Sequence, residues 1–296
     1  MLSYTSVAEL ARLATDAGTS IGRLVLSDQA VQMERSERAI LAQMDAQLRV
    51  MEKSAERGAA ENLRSTSGLT GGEGRRMLRY AAGDSLSGAF CAHAMATALA
   101  IADCNAAMGK IVASPTAGSC GILPGAVITM MRLRGASRED ACMALIAAGG
   151  IGMVIAAQAS VSGAAGGCQA ECGSAAAMTA AALVQIMGGT PDMAQNAVAM
   201  AIKNQLGLVC DPVAGLVEVP CIKRNAGGVM CAIAAADMAL AGLQSVIPAD
   251  EVIGAMRAVG ESMPCALRET AQGGLAATPT GQALAKAIFD PDAKSS

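Results

Sequence analysis

Along this chain the apolar positions recur at helical spacing rather than in alternation. Leu41, Met44, Leu48 and Met51 step by three and four, which places them on one helical face, while Arg35, Glu37, Arg38, Asp45 and Glu52 fall largely elsewhere. Residues 1–60 hold an outsized share of the charge and read as an amphipathic helical region that docks on the remainder, with a subunit-contact helix as the alternative. Start signals recur further on. Ser6 and Glu9 have the spacing of a capping box, and Ser137 is a cap before Arg138-Glu139-Asp140. Thr190-Pro191-Asp192 predicts a helix that runs to about Asn204 and stops at Gly207. No sustained run of alternating β-branched residues occurs, so strands are few or none. The expected class is all-α: a single helical domain, with residues 61–296 continuous with the N-terminal region and no internal repeat or clean linker.

Composition sharpens this picture. Hydrophobic residues make up 53% and charged residues 16%, yet there is no Trp and only two Tyr and two Phe. The core must therefore be built from Ala, Leu, Ile, Val and 19 Met, which suits closely packed Ala/Gly-rich helices. Residues 141–170 and 172–191 carry no charge, and each reaches the ~20 residues needed to cross a bilayer. Gly149-Gly150 and Gly166-Gly167 break the first run and both lack interfacial Trp or Tyr, so a core helix apolar on every side is the better reading, with a membrane or scaffold component as its rival. With a net charge of −3 and no Lys/Arg run, nucleic acid is not an expected partner. Residues 1–16 read as no targeting segment, and ten cysteines then read as thiols in a reducing cytoplasm.

The polar punctuation between helices is where chemistry is expected. Residues 64–74 form a flexible polar loop in this reading, and residues 113–121 interrupt a helical pattern. His93 is the lone histidine, in an apolar helical stretch, which leaves little room for His-rich metal or nucleophile sites. No Cys-x-x-Cys occurs. Cys168, Cys210 and Cys221 nevertheless stand beside Gly or Pro, where the backbone can approach a bound group closely, and Cys172 follows Cys168 by one helical turn and competes with it on spacing alone. Lys203, Asp211 and Lys223 lie near these cysteines as weak candidates for a catalytic base, and Ser67, Thr116 and Asn225 as candidates for binding substrate or for turn formation.

Three segments carry a resemblance. Residues 114–125 (Ser114-Pro115-Thr116 onward), Gly167-Cys168-Gln169, and residues 210–226 (Cys210-Asp211-Pro212-Val213 through Cys221-Ile222-Lys223-Arg224-Asn225) are similar to the iron–sulfur-dependent L-serine dehydratases, and to the α chain of their two-subunit bacterial form. Residues 67–72 and 266–276 extend the resemblance, which covers about residues 65 to 285. It implies a 4Fe–4S cluster held by loops at Cys168, Cys210 and Cys221, with one iron left open as a Lewis acid. It implies a lyase converting L-serine to pyruvate and ammonia, and a separate β subunit, because the Ser-rich, His-containing loop of the single-chain members is absent here. A cysteine desulfidase using the same chemistry is the neighbouring alternative. None of Lys53, Lys110, Lys203, Lys223, Lys286 and Lys294 lies in an obvious pyridoxal phosphate context.

Overall fold

Residues 4–60 and 63–290 are described in a computed structural model of the chain. Thirteen α-helices are present among them: α1 (Val7–Asp16), α2 (Ile21–Gln32), α3 (Glu37–Gly58), α4 (Glu73–Ala81), α5 (Gly88–Ala106), α6 (Ile122–Arg134), α7 (Arg138–Gln158), α8 (Gly163–Gly166), α9 (Ser174–Ile186), α10 (Pro191–Lys203), α11 (Cys221–Leu240), α12 (Ala249–Ser262) and α13 (Pro279–Phe289). The one departure from helix and loop is an isolated parallel bridge between Cys210 and Arg268. The all-α expectation is met.

Helix starts follow the caps. Ser137 and Asp140 form a reciprocal capping box on α7, and Thr190 accepts from the Met193 N–H at 3.2 Å to open α10 on Pro191. At α1 the box is only half made. Ser6 accepts from the Glu9 N–H, but the Glu9 carboxylate reaches past the cap to the Thr5 N–H at 2.7 Å. The vacant N–H groups of Val7 and Ala8 donate instead to Asp250 of α12, at 2.8 and 3.0 Å, which ties the start of the chain to its far end.

Helix α9 occupies the centre, packed against α6, α7, α10 and α11, with residues 174–184 all buried. A helix enclosed this way needs no polar face, which explains the second uncharged run. Helix α7 explains the first. It is the one helix among the described residues long and apolar enough to cross a bilayer, and 67% of its apolar window is buried inside the protein, against α2 and α9 among others. Tyr4 and side chains of α1–α3 (Leu10, Val25, Leu48, Met51) join the same core cluster as α9 and α10, so residues 4–60 pack as part of one body.

Small residues set the helix spacing. A Cβ on Gly58 of α3 or Gly74 of α4 would overlap the backbone of Ala100 on α5, and one on Gly121 would overlap the carbonyl of Ala98. Residues 64–74, expected to be flexible, are instead pinned. Ser65 and Thr70 are buried, and Ser67 Oγ and Thr70 Oγ1 both donate to Glu218 Oε2, at 2.9 and 2.8 Å. A nearly buried carboxylate requires such donors, and α4 begins within this same stretch.

Two sets of outcomes are expected, the first from glycine packing. Gly58→Ala should destabilise the chain by about 1–3 kcal/mol in urea unfolding, because the Ala100 carbonyl is backbone and cannot move aside cheaply. Gly149→Ala, whose Cβ meets nothing within 4 Å, should stabilise it by roughly 0.5–1 kcal/mol. The second set concerns Asp103, whose Oδ2 accepts from the Gly74 N–H at 2.9 Å. Burial, and then the nearby Glu73 carboxylate, raise its pKa to about 7. The unfolded chain releases that proton near pH 4. The protonated form's contribution is therefore complete below pH 4 and is lost as pH climbs through 7. Thermal melts of wild type should fall across that window, and Asp103→Asn should flatten the fall.

Candidate functional site

Each of the three expected cysteines sits where an element begins or a segment is tied down. Helix α8 ends at Gly166, Gly167 takes a positive φ of 76°, and Cys168 then leads into a π-helical turn, Gln169–Gly173, that continues as α9. Such turns are rare and cluster at functional sites. Gln169 anchors the turn: its Nε2 donates to the Met256 carbonyl and its Oε1 accepts from the Gly207 N–H, both at 2.9 Å. Cys210 is held by its N–H donating to the Leu267 carbonyl at 2.9 Å and its carbonyl accepting from the Glu269 N–H at 2.7 Å. Cys221 opens α11 rather than lying in a loop, so its sulfur stands at a helix N-terminus, where negative charge is favoured. The three residues are 1%, 3% and 6% exposed.

The thiols lie within one another's fields. Burial raises Cys210 and pushes Cys221 up to about 12, and in both the nearby Cys168 sulfur and Glu171 carboxylate add to the rise. Cys168 is held below the ordinary thiol range by its hydrogen bond with Cys172 and, after that, by the Arg224 guanidinium. The Cys168 and Cys172 sulfurs are 3.3 Å apart. The ambiguity between these two cysteines is therefore spatial as well as sequential. Gly163 marks a corner of the site: the point a Cβ would occupy there lies 2.9 Å from Cys210 Sγ, 3.3 Å from Glu269 Oε2 and 3.4 Å from Glu171 Oε2.

The first turn of α11 gathers the surrounding loops. Arg224 donates to the Val209 carbonyl and to Asp211 Oδ1, each at 2.8 Å, while Asp211 Oδ2 accepts from the Leu275 N–H at 2.8 Å. Asp211 is thereby a buried clamp. Asn225, fully buried, accepts from the Gly121 N–H at 2.8 Å and donates to the carbonyls of Gly118 and Cys221 at 2.7 and 3.0 Å. Its amide is spent on positioning the 118–121 segment, which leaves no donor for a substrate. Thr116 donates to Glu171 Oε1 and lies 3.0 Å from Ser119 Oγ. Ser67 is bonded to Glu218, Lys203 Nζ donates to Ser245 at 2.8 Å, and the exposed Lys223 pairs with Glu73 at 3.3 Å. Of the sequence candidates, Thr116 thus joins Glu171 at the cysteines, Asp211 and Asn225 hold the frame, and the two lysines bond to partners on other segments.

Sequence reasoning missed Glu171, Glu269 and Arg224. A signal for the first was present: Glu171 is the one charged residue between 141 and 191. Burial, the largest cause, raises its pKa, and Glu269 adds to this while the Thr116 hydroxyl opposes it. No three His, Cys, Asp or Glu side chains among the described residues close in as a single-ion site requires. A cubane makes a different demand, since each thiolate binds a different iron.

These features define an all-helical protein with a buried, polar, multi-thiol site between the ends of its helices. The chain belongs to the serine dehydratase alpha chain family, whose model matches residues 16–276. It is 50% identical over 287 residues to the "Probable L-serine dehydratase, alpha chain" of Bacillus subtilis, covering 97% of this chain and 95% of that one. It is 45% identical over 277 residues to the "L-serine dehydratase, alpha chain" of Peptoniphilus asaccharolyticus, covering 93% and 95%. The "L-serine dehydratase" of Streptomyces coelicolor is 38% identical over 278 residues, which are 90% of this chain but 59% of that longer one.

Replacing Asn225 with Ala would strand the buried Gly121 N–H and the buried Gly118 carbonyl. It should cost about 2 kcal/mol or more in chemical unfolding, whereas the exposed Lys223→Ala should change stability by no more than ~0.5 kcal/mol.

Proposed function

We propose that this chain is the α subunit of an L-serine dehydratase that eliminates water from L-serine, and that Cys168, Cys210 and Cys221 hold a 4Fe–4S cluster for it. The observation that supports the reading is the burial of these three thiols, from three separate segments, within one another's fields. Burial favours the protonated form of Cys210 and Cys221, whereas bound to cationic iron the thiols would be deprotonated outright. The residues present fit such a group: sulfur donors at helix and turn starts, with Arg224 beside Cys168 as a compensating charge. When bound, the cluster would supply an iron without a protein ligand as Lewis acid for the departing hydroxyl.

The chain's own residues account for the rest. Elimination removes a proton from Cα and hydroxide from Cβ, and the aminoacrylate formed tautomerises to an imine that hydrolyses to pyruvate and ammonia. Glu171 is the group of this chain best placed to take up or hand on a proton. Its Oε2 faces the Gly163 corner beside Cys210, its Oε1 is held by Thr116, and burial gives it a higher proton affinity than an ordinary carboxylate. The Thr116 hydroxyl, with Ser119 Oγ 3.0 Å from it, is spent on holding that carboxylate in place. A β subunit would complete the site. A reducing cytoplasm suits the ten free thiols.

Anaerobic reconstitution with iron and sulfide, with and without a β subunit, followed by a pyruvate assay on L-serine and on L-cysteine, tests this reading. Wild type should bind about four irons per chain and favour serine. Alanine at Cys168, Cys210 or Cys221 should abolish stable cluster formation. Glu171→Gln should keep the iron but lose about 10²- to 10⁴-fold in pyruvate formation. Full iron retention in the Cys221→Ala protein would overturn the ligand assignment.

A further inference from the structure

Cys172 has no task in the mechanism above, yet its sulfur is 3.3 Å from that of Cys168, and no other pair of cysteines among the described residues shares a hydrogen bond. A disulfide bond measures about 2.05 Å, so the two sulfurs need to close a gap of only about an ångström. They lie four residues apart on a π-helical turn, beside Gly166 and Gly167, and both are 1% exposed. The backbone on either side of Cys168, at Gly166 and Ala170, lines a cleft of about 300 Å³, so a very small oxidant has only a short way to travel.

We propose that Cys168 and Cys172 form a peroxide-modification site, in which Cys172 converts oxidised Cys168 to an intramolecular disulfide whenever Cys168 is not engaged as a ligand. In the first step the Cys168 sulfur attacks one oxygen of hydrogen peroxide. The O–O bond breaks, and the departing hydroxide takes the thiol proton and leaves as water. Cys168 is now a sulfenic acid, oxidised by two electrons. The Cys172 sulfur then attacks Cys168 Sγ, the S–O bond breaks, and the second hydroxide leaves as water with the Cys172 proton. Two thiols and one peroxide give one disulfide and two waters. The next rungs of thiol oxidation, sulfinic and sulfonic acid, are irreversible to ordinary thiols, whereas a disulfide returns to two thiols on exchange with a dithiol. The pair thus keeps Cys168 recoverable after oxidative loss of whatever it binds. Only that last consequence rests on the cluster reading. The thiol chemistry belongs to the chain itself.

The test uses the full chain, freed of metal with a chelator, reduced anaerobically and then given hydrogen peroxide. After alkylation of free thiols, mass spectrometry should show the 168–172 segment lacking two hydrogens and unalkylated, while Cys142 on the same tryptic peptide is alkylated. Dithiothreitol should restore both thiols. In Cys172→Ala, Cys168 should instead gain two or three oxygens that dithiothreitol does not remove. Cys172→Ser, which keeps a similar volume, should match the alanine variant if that one folds poorly. An oxygenated or unreacted Cys168 in wild type, or a disulfide from Cys168 to Cys210 or Cys221, overturns the proposal. Because the readout is mass on metal-free protein, its failure is separable from a failure to build a cluster. Where a cluster does form, wild type treated with peroxide and then dithiothreitol should regain its iron uptake, and Cys172→Ala should lose most of it.

Discussion

The site depends on the ion pair between Arg224 and Asp211. Both side chains are largely buried, at 16% and 5% exposed, and each makes a further bond to backbone: Arg224 to the Val209 carbonyl and Asp211 to the Leu275 N–H. A buried ion pair is poor evidence of net stability, because desolvation offsets much of the attraction, but losing one partner leaves an uncompensated charge. What this pair contributes is geometry. It joins the first turn of α11, which carries Cys221, to the segment that carries Cys210 and to the loop before α13. Asn225, next in sequence, joins the same turn to the 118–121 segment behind Thr116. One helical turn thus sets the positions of two cysteines and of the hydroxyl that bonds Glu171.

Such positioning is needed because the rest of the protein cannot supply it by bulk. The core is built from Ala, Gly and aliphatic side chains with almost no aromatics, so helices approach until backbone meets backbone, as α3 and α4 do on Ala100. Close approach gives many dispersion contacts over short lengths but few long side chains that reach across a gap. The polar site is therefore assembled from segment ends, where N–H and carbonyl groups are still available for side chains such as Gln169, Asp211 and Asn225 to bind.

This division explains what the sequence shows and what it hides. Helix existence, the caps at Ser137 and Thr190, and the enclosed nature of residues 172–184 follow from local chemistry and periodicity, and the structure agrees with them. The pairing of Ser67 and Thr70 with Glu218, some 150 residues away, has no periodic trace, so the 64–74 segment reads as mobile when it is fastened. Asp211 and Asn225 look like chemistry from their neighbourhood and prove to be framework, because they bond to backbone groups that no motif displays and, for Asp211, to the Arg224 side chain. Glu171 was the legible exception. A single charge within fifty uncharged residues must either reach solvent or have a purpose in the interior, and here it points to the cysteines.

The unequal character of the thiols follows from the same construction. Burial alone would raise all of them, as it does Cys210 and Cys221. Cys168 departs in the other direction because the π-turn brings Cys172 into hydrogen-bonding reach and the Arg224 clamp sets a positive charge beside it. A regular α-helical turn in place of residues 169–173 would change the angle between the two sulfurs and with it the one favourable thiol contact in the site. The extra residue of that turn is thus tied to electrostatics as much as to packing: it makes one cysteine of the group easier to deprotonate than the others.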